Sequence, residues 1–302
     1  MKIAVFYYSQ TGQALEVAKR LFATSTGNKD AEIVYKQITT DLQYKFPWDK
    51  FDFFDVFPET RLGIVLSSVK EIDFSDIADA DLVVVVGQSW YLSPSQPIQA
   101  FFTDEAACKY LKDRNVLFVN VCRNMWLKTY QKVRSYIQQA EARMVGHIVL
   151  QDRHSNLLSV LTIIRWLMFG RKEPSKMLPE AGVSEKDIAS AARFGEIIVD
   201  GLNAHQTASL QCRLYEAGAI DYKPSILFLE QAGHCIFGFW AKFIRLKGNY
   251  GDVRRRTRLN MFFYYLLFVL FVLSPFAQLF FYLTYPFRGV KRKRWDICHL
   301  TD

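Results

Sequence analysis

Two short apolar runs, residues 82–86 and 116–121, limit the possible folds of this chain more than any other feature of its sequence. Val-rich runs of this length are typical of strands that are buried on both faces of a parallel sheet. Three further strands are predicted at residues 3–7, 31–38 and 144–150. Because helical patterns lie between these runs, the sequence predicts a doubly wound, five-stranded parallel α/β domain with right-handed crossovers.

The helices of this domain are predicted from apolar residues that recur at helical spacing. The first helix follows the first strand after a short turn, and its apolar face is made of Ala14, Val17, Ala18 and Leu21. Two more helices are predicted around residues 98–111 and 128–140. Ser184 and Asp187 form a capping box, which predicts the start of a last helix. Its small apolar face runs to Leu202 and is expected to lie close on the sheet.

A short uncharged turn joins the first strand to its helix and is rich in hydrogen-bond donors; it contains Ser9, Gln10, Thr11, Gly12 and Gln13. Backbone N–H groups and hydroxyls at the positive end of a helix dipole suit a phosphate. No Gly-Lys-Ser/Thr follows, so the turn is not a Walker A loop, and its single glycine excludes a dinucleotide fingerprint. The turn resembles the phosphate loop of flavodoxins, although Ala14 lacks the last hydroxyl of that loop. An ordinary βα turn is the alternative.

The carboxyl ends of the third and fourth predicted strands supply the rest of a candidate cofactor site. In a flavodoxin-like sheet of order 2-1-3-4-5, ligands bind beyond these ends, at the switch between strands 1 and 3. The residues concerned are Gln88, Ser89, Trp90 and Tyr91 after strand 3, and Cys122, Arg123 and Asn124 after strand 4. The resemblance implies FMN, with its flat ring against Trp90 or Tyr91 and its edge bound by loop amides. The alternative for these two rings is packing under the sheet rim, but adjacent rings cannot both point inward.

A polar cluster follows the fifth strand and contains Asp152, Arg153 and His154. His154 is the candidate general base, because imidazole is the side chain that exchanges protons near neutral pH. Asp152 would hold its tautomer if the turn is tight, and Arg153 would polarise an oxygen. Arg123 and Asn124 are expected to hydrogen-bond an enolate oxygen. A solvated turn with local salt bridges is the alternative for the cluster.

The positive charge of the chain is concentrated towards its end. The 302 residues carry a formal net charge of +8, and residues 242–302 contain 12 Lys/Arg against 3 acidic residues. Because these charges flank the longest apolar run, they indicate a membrane surface and not a nucleic acid as the partner. The five cysteines form no C-x-x-C pair and no metal-ligand spacing with the five histidines. This pattern predicts a reducing compartment and no metal site.

The longest apolar run, residues 261–287, contains no charged residue. As a straight helix its 27 residues would be roughly 40 Å long, more than the ~30 Å of bilayer hydrocarbon. Basic clusters stand on both sides, at 254–258 and 288–294. A single span would place one cluster outside, against the positive-inside tendency. A helical hairpin bent at Pro275 keeps both on the cytoplasmic surface and is favoured over the single span.

These patterns divide the chain into four parts. Residues 1–205 form the α/β domain, with insertions near 41–60 and 153–182; residues 206–260 form an amphipathic extension, 261–287 the hydrophobic segment and 288–302 a basic tail. The apolar stretch 157–169 is too short to cross a bilayer and is predicted as a core or interfacial helix. The stretch 226–246 is expected either to lie flat on a membrane or to cover the α/β core.

The whole chain resembles the flavodoxin-like proteins of bacterial dialkylresorcinol and flexirubin-type biosynthesis. Five local stretches carry the resemblance: 7–13, 54–60, 92–95, 123–126 and 152–156. It implies an FMN-dependent aromatase that oxidises a dialkyl-cyclohexanedione to a resorcinol, while a partner ketosynthase forms the carbon–carbon bond. Its substrate would be lipophilic, which fits the apolar tail of this chain. The apolar run and its basic flanks predict a cytoplasmic domain anchored to the inner membrane.

Two other functions fit the same sequence features. The first is a membrane-tethered electron-transfer protein or quinone reductase, which binds FMN but no specific ring substrate. The second is a scaffold of a biosynthetic complex, in which the fold has lost its cofactor. The chain shows neither a Cys/His/Asn set nor a Gly-x-Ser-x-Gly elbow, so an acyl-transfer enzyme is not expected.

Overall fold

The computed structural model describes residues 1–24 and 31–285 and contains one mixed sheet. Its strands are β1 (Lys2–Tyr7), β2 (Glu32–Gln37), β3 (Leu82–Trp90), β4 (Ser93–Pro94), β5 (Asn115–Cys122) and β6 (Arg143–Gln151). Five of them pair in parallel in the order β2-β1-β3-β5-β6, and the two-residue β4 folds back antiparallel on β3. The five predicted strands are confirmed, and the order is that of a flavodoxin-like sheet.

Helices cover both faces of this sheet. They are α1 (Gln13–Leu21), α2 (Lys50–Asp55), α3 (Phe57–Leu62), α4 (Gln96–Thr103), α5 (Glu105–Leu111), α6 (Leu127–Gln139), α7 (Asn156–Phe169), α8 (Glu185–Ala189), α9 (Ala192–Asn203), α10 (Leu210–Glu216), α11 (Pro224–Arg245), α12 (Arg256–Phe268) and α13 (Ser274–Thr284). One face carries α4, α5 and α6 over a core that includes Phe6 and Phe118. The other carries α1, α8, α9 and α10 over Val5 and Val119. The sheet is therefore doubly wound, as predicted.

Two of the predicted helices are each divided in two. The helix expected over residues 98–111 breaks at Asp104, which stands between two shorter helices. Its carboxylate caps the second of them by accepting the Ala107 N–H at 2.9 Å. The capping box of Ser184 and Asp187 is confirmed, but the helix that it starts ends at Ala189 and a new one begins at Ala192. The side-chain cap of Asp104 competes with the helical backbone and sets the first boundary. At the second boundary the Ser190 hydroxyl donates to the Asp187 carbonyl at 2.8 Å.

The small face of α9 lies close on α1, while Phe194 and Ile198 belong to the core that covers the sheet. A Cβ added at Gly195 would lie 1.7 Å from the carbonyl oxygen of Leu21. No side chain larger than hydrogen fits there without moving one helix. This contact holds α1, and therefore the turn that precedes it, in a fixed position on the sheet.

The extension after the α/β domain is tied to it by α11. Glu230 of α11 is fully buried, and its carboxylate accepts the backbone N–H groups of Leu127 and Lys128 at 3.2 and 2.7 Å. It thereby caps the N-terminus of α6, although burial raises its pKa. Helix α11 also packs along α3. Of the two alternatives for this stretch, the structure supports a helix that covers the α/β core.

The apolar helix, as we call Val253–Thr284, is one continuous helix of 32 residues. It consists of a 3₁₀ turn, α12, a π-helical turn (Val269–Leu273) and α13. Its best window has a mean hydropathy of 2.2, so by length and composition it is able to cross a membrane. The predicted hairpin at Pro275 is wrong, because the helix runs through this residue. The widened π turn directly before Pro275 accommodates the missing N–H that would otherwise break the helix. Residues 286–302 of the predicted segment and tail lie outside the described chain.

One face of the apolar helix packs on α11 along its length. Leu259 and Phe262 lie against the end of α11, and Phe281 packs on Phe228 with ring centroids 5.5 Å apart at the other end. The opposite side is exposed and includes a stripe of seven residues: Met261, Tyr264, Phe268, Val272, Phe276, Leu279 and Leu283. Phe271, Leu273, Phe280 and Tyr282 are exposed beside this stripe. Spacings of three and four residues place all seven on the same side. A helix that is apolar all round, with one face open, needs a second apolar surface.

Candidate functional site

The turn between β1 and α1 has the properties of an anion site. Gly12 stands at the N-cap with φ +86°, and no side chain caps the helix. A Cβ at Gly12 would meet no heavy atom within 4 Å, so the backbone there faces open space. The Ser9 hydroxyl is buried and has no hydrogen-bond partner within residues 1–24 and 31–285. Uncapped N–H groups beside an unpaired hydroxyl fit a phosphate.

The two amide side chains of this turn serve other contacts. Gln10 donates to the carbonyl of Lys45 at 3.1 Å. Gln13 is buried and bonds both backbone groups of Val183, donating at 2.9 Å and accepting at 3.1 Å. These side chains hold neighbouring loops against the turn. Contacts from them to a cofactor stay a prediction, and Ser9, Thr11 and Gly12 remain the groups open to a phosphate.

Trp90 and Tyr91 point in different directions, as adjacent rings must. The ring of Tyr91 lies between Phe53 and Phe57, with centroids 5.2 Å from each, and its hydroxyl donates to the Phe53 carbonyl. Burial raises its pKa well above the usual value, so the phenol stays neutral. Tyr91 thus packs against α2 and α3. Trp90 is the ring beside the turn.

An aromatic group formed by Tyr8, Tyr44, Trp48 and Trp90 stands at the carboxyl ends of β1 and β3. The three other rings meet Trp90 nearly edge to face, with centroids 5.9, 5.2 and 5.6 Å away. Edge-to-face pairs at these distances stabilise one another and limit ring rotation. The group therefore offers a rigid apolar surface directly after the strand that leads into Ser9. Burial raises the pKa of both tyrosines, which keeps them as neutral donors.

The predicted residues at the inner rim are held inside the fold. The Ser89 hydroxyl lies 3.0 Å from Oδ1 of Asn120 and 2.8 Å from the hydroxyl of Thr129. Cys122 is buried, and burial raises the pKa of its thiol, so it is not a nucleophile at neutral pH. The Gln88 side chain is partly buried. The contact of these three residues with a cofactor stays a prediction.

Arg123, Asn124 and Asn156 form a connected cluster at the ends of β5 and β6. Nη1 of Arg123 donates to Oδ1 of Asn156 at 2.8 Å, and Nδ2 of Asn124 donates to the same oxygen at 3.1 Å. Burial lowers the pKa of Arg123 to about 10, so its guanidinium stays charged at neutral pH. In the described part of the chain it forms no salt bridge. A largely buried cation without a bound carboxylate fits an anionic oxygen of a ligand.

Asp152 and His154 form the predicted pair. Oδ1 of Asp152 accepts both the His154 backbone N–H at 2.9 Å and Nδ1 of its ring at 2.7 Å, so the turn is tight. The buried carboxylate also accepts the Ser159 hydroxyl at 2.8 Å. Because an ionised carboxylate only accepts, the proton of a neutral His154 lies on Nδ1. Nε2 is then the free base, on a side chain that is 34% exposed.

Arg153 does not point into this cluster. Its Nε bonds Asp187 of α8 at 3.0 Å, and its side chain is 54% exposed. The prediction that Arg153 polarises a substrate oxygen is therefore not supported by its position. The sequence left two alternatives for the polar cluster after the fifth predicted strand. Arg153 fits the solvated salt bridge, and Asp152 with His154 fits the acid–base pair.

Arg123, Asn124, Asn156, Asp152 and His154 together form what we call the strand-end cluster, and the apolar helix contacts it directly. Nδ2 of Asn156 donates to the Ser274 hydroxyl at 3.1 Å, and both residues are buried. Ser274 follows the π turn. The same amide therefore binds Arg123 and Asn124 through its oxygen and the apolar helix through its nitrogen.

The arrangement of strands and loops determines the fold class. The chain has the flavodoxin-like fold. No protein-family model and no curated protein matches it. Among solved structures it is similar to a flavoprotein in complex with FMN from Lactobacillus acidophilus (16% identity, TM-score 0.38, 49% of this chain and 92% of the other). A WrbA-like flavodoxin from Agrobacterium tumefaciens is also similar (12% identity, TM-score 0.40, 68% of this chain and 98% of the other). So is the two-electron reduced Megasphaera elsdenii flavodoxin (14% identity, TM-score 0.34, 51% of this chain and 89% of the other). Because these TM-scores are low, the assignment of the fold is based on the strand order of this chain and not on the similarity.

Three residues of the site region escaped prediction from the sequence. Tyr44 and Trp48 lie in the insertion before α2, far from β3 in sequence. Their only signal was the high aromatic content of that insertion. Asn156 looked like an ordinary turn residue, and its partner Ser274 is 118 positions away.

Proposed function

We propose that this protein is an FMN-dependent, membrane-associated oxidoreductase that aromatises a dialkyl-cyclohexanedione to a dialkylresorcinol. A ketosynthase partner would supply the ring. The observation that carries the proposal is the hydrogen bond from Asn156 to Ser274. This bond joins Arg123 and Asn124, which are suited to bind a ring oxygen, to the apolar helix, which is suited to contact lipid. A substrate with a polar ring and two alkyl chains needs both kinds of contact.

The residues around the β1–α1 turn fit FMN. Ser9, Thr11 and the uncapped N-terminus of α1 would hold the phosphate, since they offer donors without competing charge. Trp90, fixed by three neighbouring rings, would lie beside the flavin ring. When bound, FMN supplies a two-electron acceptor that takes hydride from a ring carbon.

The strand-end cluster would handle the proton and the oxygen. Nε2 of His154 takes the acidic ring proton, while Asp152 holds the opposite nitrogen at 2.7 Å and stabilises the imidazolium. Arg123 and Asn124 donate to the enolate oxygen as its charge grows. Loss of one hydride and one proton converts the cyclohexanedione to the resorcinol level, so the reaction balances with the reduction of one flavin.

The packing of the apolar helix supports membrane attachment in the plane of the bilayer. A span would need the helix to leave the domain, yet it packs on α11 at both ends. An in-plane helix places its exposed stripe in the lipid. The basic clusters that precede and follow the apolar run in sequence, 254–258 and 288–294, would then stay on one side of the membrane. This arrangement meets the positive-inside tendency without a hairpin. The α/β domain would then stand on the cytoplasmic face of the inner membrane.

The test is a single turnover without oxygen. Full-length protein carrying flavin is mixed with a dialkyl-cyclohexane-1,3-dione in vesicles. We expect one equivalent of resorcinol per bound flavin, together with bleaching of the oxidised flavin spectrum. His154→Ala should slow this step about 100-fold, the usual scale for loss of a general base, without changing the flavin content. Arg153→Gln is the matched control, because its exposed side chain pairs with Asp187, and it should react at the normal rate.

Three outcomes would contradict the proposal in different ways. Flavin-loaded protein that forms no resorcinol would refute the aromatase. Quinone reduction by NAD(P)H that does not depend on His154 would favour the electron-transfer protein. A purified chain that binds no flavin would favour the scaffold.

A further inference from the structure

A groove of about 870 Å³ lies where the end of α11 meets the start of the apolar helix. Four of its lining residues are cations, Arg245, Lys247, Arg254 and Arg258, and no carboxylate lines it. Its size is within the range of small-molecule sites. None of its residues belongs to the cofactor site or the strand-end cluster, so the proposed chemistry does not explain it.

Among the residues that the structure describes, two of the four cations have no carboxylate partner. Arg245 pairs with Glu59 at 3.0 Å, and Arg254 pairs with Asp252 at 2.6 Å. Lys247 and Arg258 form no ion pair with any residue that the structure describes. Arg258 is instead held over the ring of Phe243, 3.9 Å from its centroid.

The neighbouring buried charges do not remove this excess. Glu59 is shared with Arg255, which also bonds Asp55. Five cations, four in the groove and Arg255, therefore face three carboxylates. An anion entering the groove would find about two free positive charges.

The rim of the groove is apolar and open. Leu246 is 79% exposed and Met261 is 49% exposed. Met261 is also the first residue of the exposed stripe, and Tyr264 follows one turn later. A free phosphate ion would make no apolar contact with this rim, whereas the acyl chains of a phospholipid would lie along it.

The position of the groove matches the level of lipid headgroups. The last charged residue of the apolar helix is Arg258, and no charge follows up to residue 285. Trp240 lies beside Tyr265, with ring centroids 5.1 Å apart. Tryptophan and tyrosine are enriched at the interface between headgroups and hydrocarbon. The charged groove and the apolar stripe thus meet at one interface.

We propose that this groove binds the phosphate of an anionic phospholipid, with Lys247 and Arg258 as its ligands and Leu246 and Met261 against its acyl chains. The inference rests on the proposed membrane association. It adds a specific headgroup site that fixes the depth and orientation of the apolar helix.

The test compares full-length protein on phosphatidylcholine vesicles with and without phosphatidylglycerol, by flotation. Wild-type protein should bind both and prefer the anionic vesicles. Lys247→Gln with Arg258→Gln should lower this preference at least about 30-fold, because two hydrogen bonds to a charged phosphate are lost. The matched control is Lys242→Gln with Arg256→Gln, which removes two exposed cations of the same helices outside the groove. It should change the preference less than about threefold.

The possible failures are distinguishable. If wild-type protein binds no vesicle, the membrane association itself fails. If both double variants lose the same preference, the attraction is diffuse and the groove is not a site. If millimolar inorganic phosphate abolishes the preference, the groove binds free phosphate instead of lipid. Single Lys247→Gln, which leaves the contact of Arg258 with Phe243 intact, should still lower the preference about fivefold if the variant with both changes misfolds.

Discussion

At the residue scale, the buried hydroxyl of Ser9 links stability to cofactor binding. A buried polar group without a partner costs about 1–3 kcal/mol. Removing it should therefore stabilise the flavin-free protein while it weakens the site. A variant that is more stable without flavin but binds FMN more weakly is a stronger test than weaker binding alone. Any damage to the fold would also weaken binding, but it would lower stability.

Ser9→Ala should raise the free energy of unfolding of the flavin-free protein by about 1 kcal/mol and weaken FMN binding about fivefold or more. Denaturant unfolding and fluorescence titration measure the two effects. Ser95→Ala is the matched control, because its hydroxyl is also buried and unpartnered but lies at the start of α4. It should gain stability and keep its FMN affinity. Equal loss of affinity in both variants would argue against Ser9 as a ligand.

His147 makes the fold sensitive to acid. Its ring is buried between Phe118 and Tyr130, with centroids 5.6 and 4.7 Å away, and neither ring nitrogen has a partner among the residues described. Burial lowers its pKa from 6.5 to about 3. Below pH ~6.5 this histidine is therefore protonated in the unfolded chain but stays neutral in the folded chain. The free energy of unfolding falls as the pH is lowered from about 6.5 to about 3.

His147→Phe should remove this dependence and raise stability at pH 5 by about 2 kcal/mol, since each pKa unit corresponds to about 1.4 kcal/mol. The measurement is denaturant unfolding of both proteins at pH 7, 6 and 5. The two curves should converge towards pH 7, apart from a constant offset. A slope that persists in the variant would assign the acid sensitivity to another group, such as His234, whose pKa burial lowers to about 4.

At the scale of elements, a buried ion network fixes the start of the apolar helix. Arg255 is fully buried and bonds Glu59 at 2.8 Å; Arg245 of α11 bonds the same carboxylate at 3.0 Å. Glu59 lies on α3, so one carboxylate connects three helices. Removing one partner of such a network leaves a buried charge uncompensated.

Glu59→Gln should lower the free energy of unfolding by about 3–5 kcal/mol. Glu141→Gln is the control, because Glu141 pairs with Lys112 on the surface at 2.8 Å with both side chains more than half exposed. It should cost less than about 1 kcal/mol. Similar losses for the two variants would mean that the buried network does not hold the apolar helix.

The elements also show what sequence reasoning reaches and where it stops. The strands were predictable because Val-rich runs such as 116–121 are buried on both faces, a local property. The break at Asp104 was missed, because a single capping side chain competes with an otherwise helical pattern. The break after Ala189 was missed as well, and the helix that follows it begins without a side-chain cap. The hairpin at Pro275 was wrong because a π turn leaves no trace in hydropathy. At the site, the pair of Asp152 and His154 was predictable, whereas the contact of Asn156 with Ser274 depends on packing across the whole chain.

At the scale of the whole molecule, the structure joins a flavodoxin-like domain to a helix of about 48 Å without a flexible connection. Helix α11 packs on the domain through Glu230 and on the apolar helix through Ile244 and Phe228. The proposed membrane face is therefore a surface of the domain itself and not a separate anchor.

In-plane attachment predicts that both ends of the apolar helix lie on the side of the α/β domain. A protease-sensitive reporter fused to the C-terminus of the full chain should be cleaved from that side of sealed vesicles, together with exposed loops of the domain. A reporter that is protected until the vesicles are opened would instead show a single span.

The central claim is that FMN binds with its phosphate at the turn from Ser9 to Gln13. Its most direct test is a fluorescence titration of flavin-free, full-length protein with FMN and with riboflavin, which differ only in the phosphate. Two or three charge-assisted hydrogen bonds at a helix N-terminus predict that FMN binds at least about 100-fold more tightly. Equal affinity for the two flavins, or binding of neither, would contradict the account.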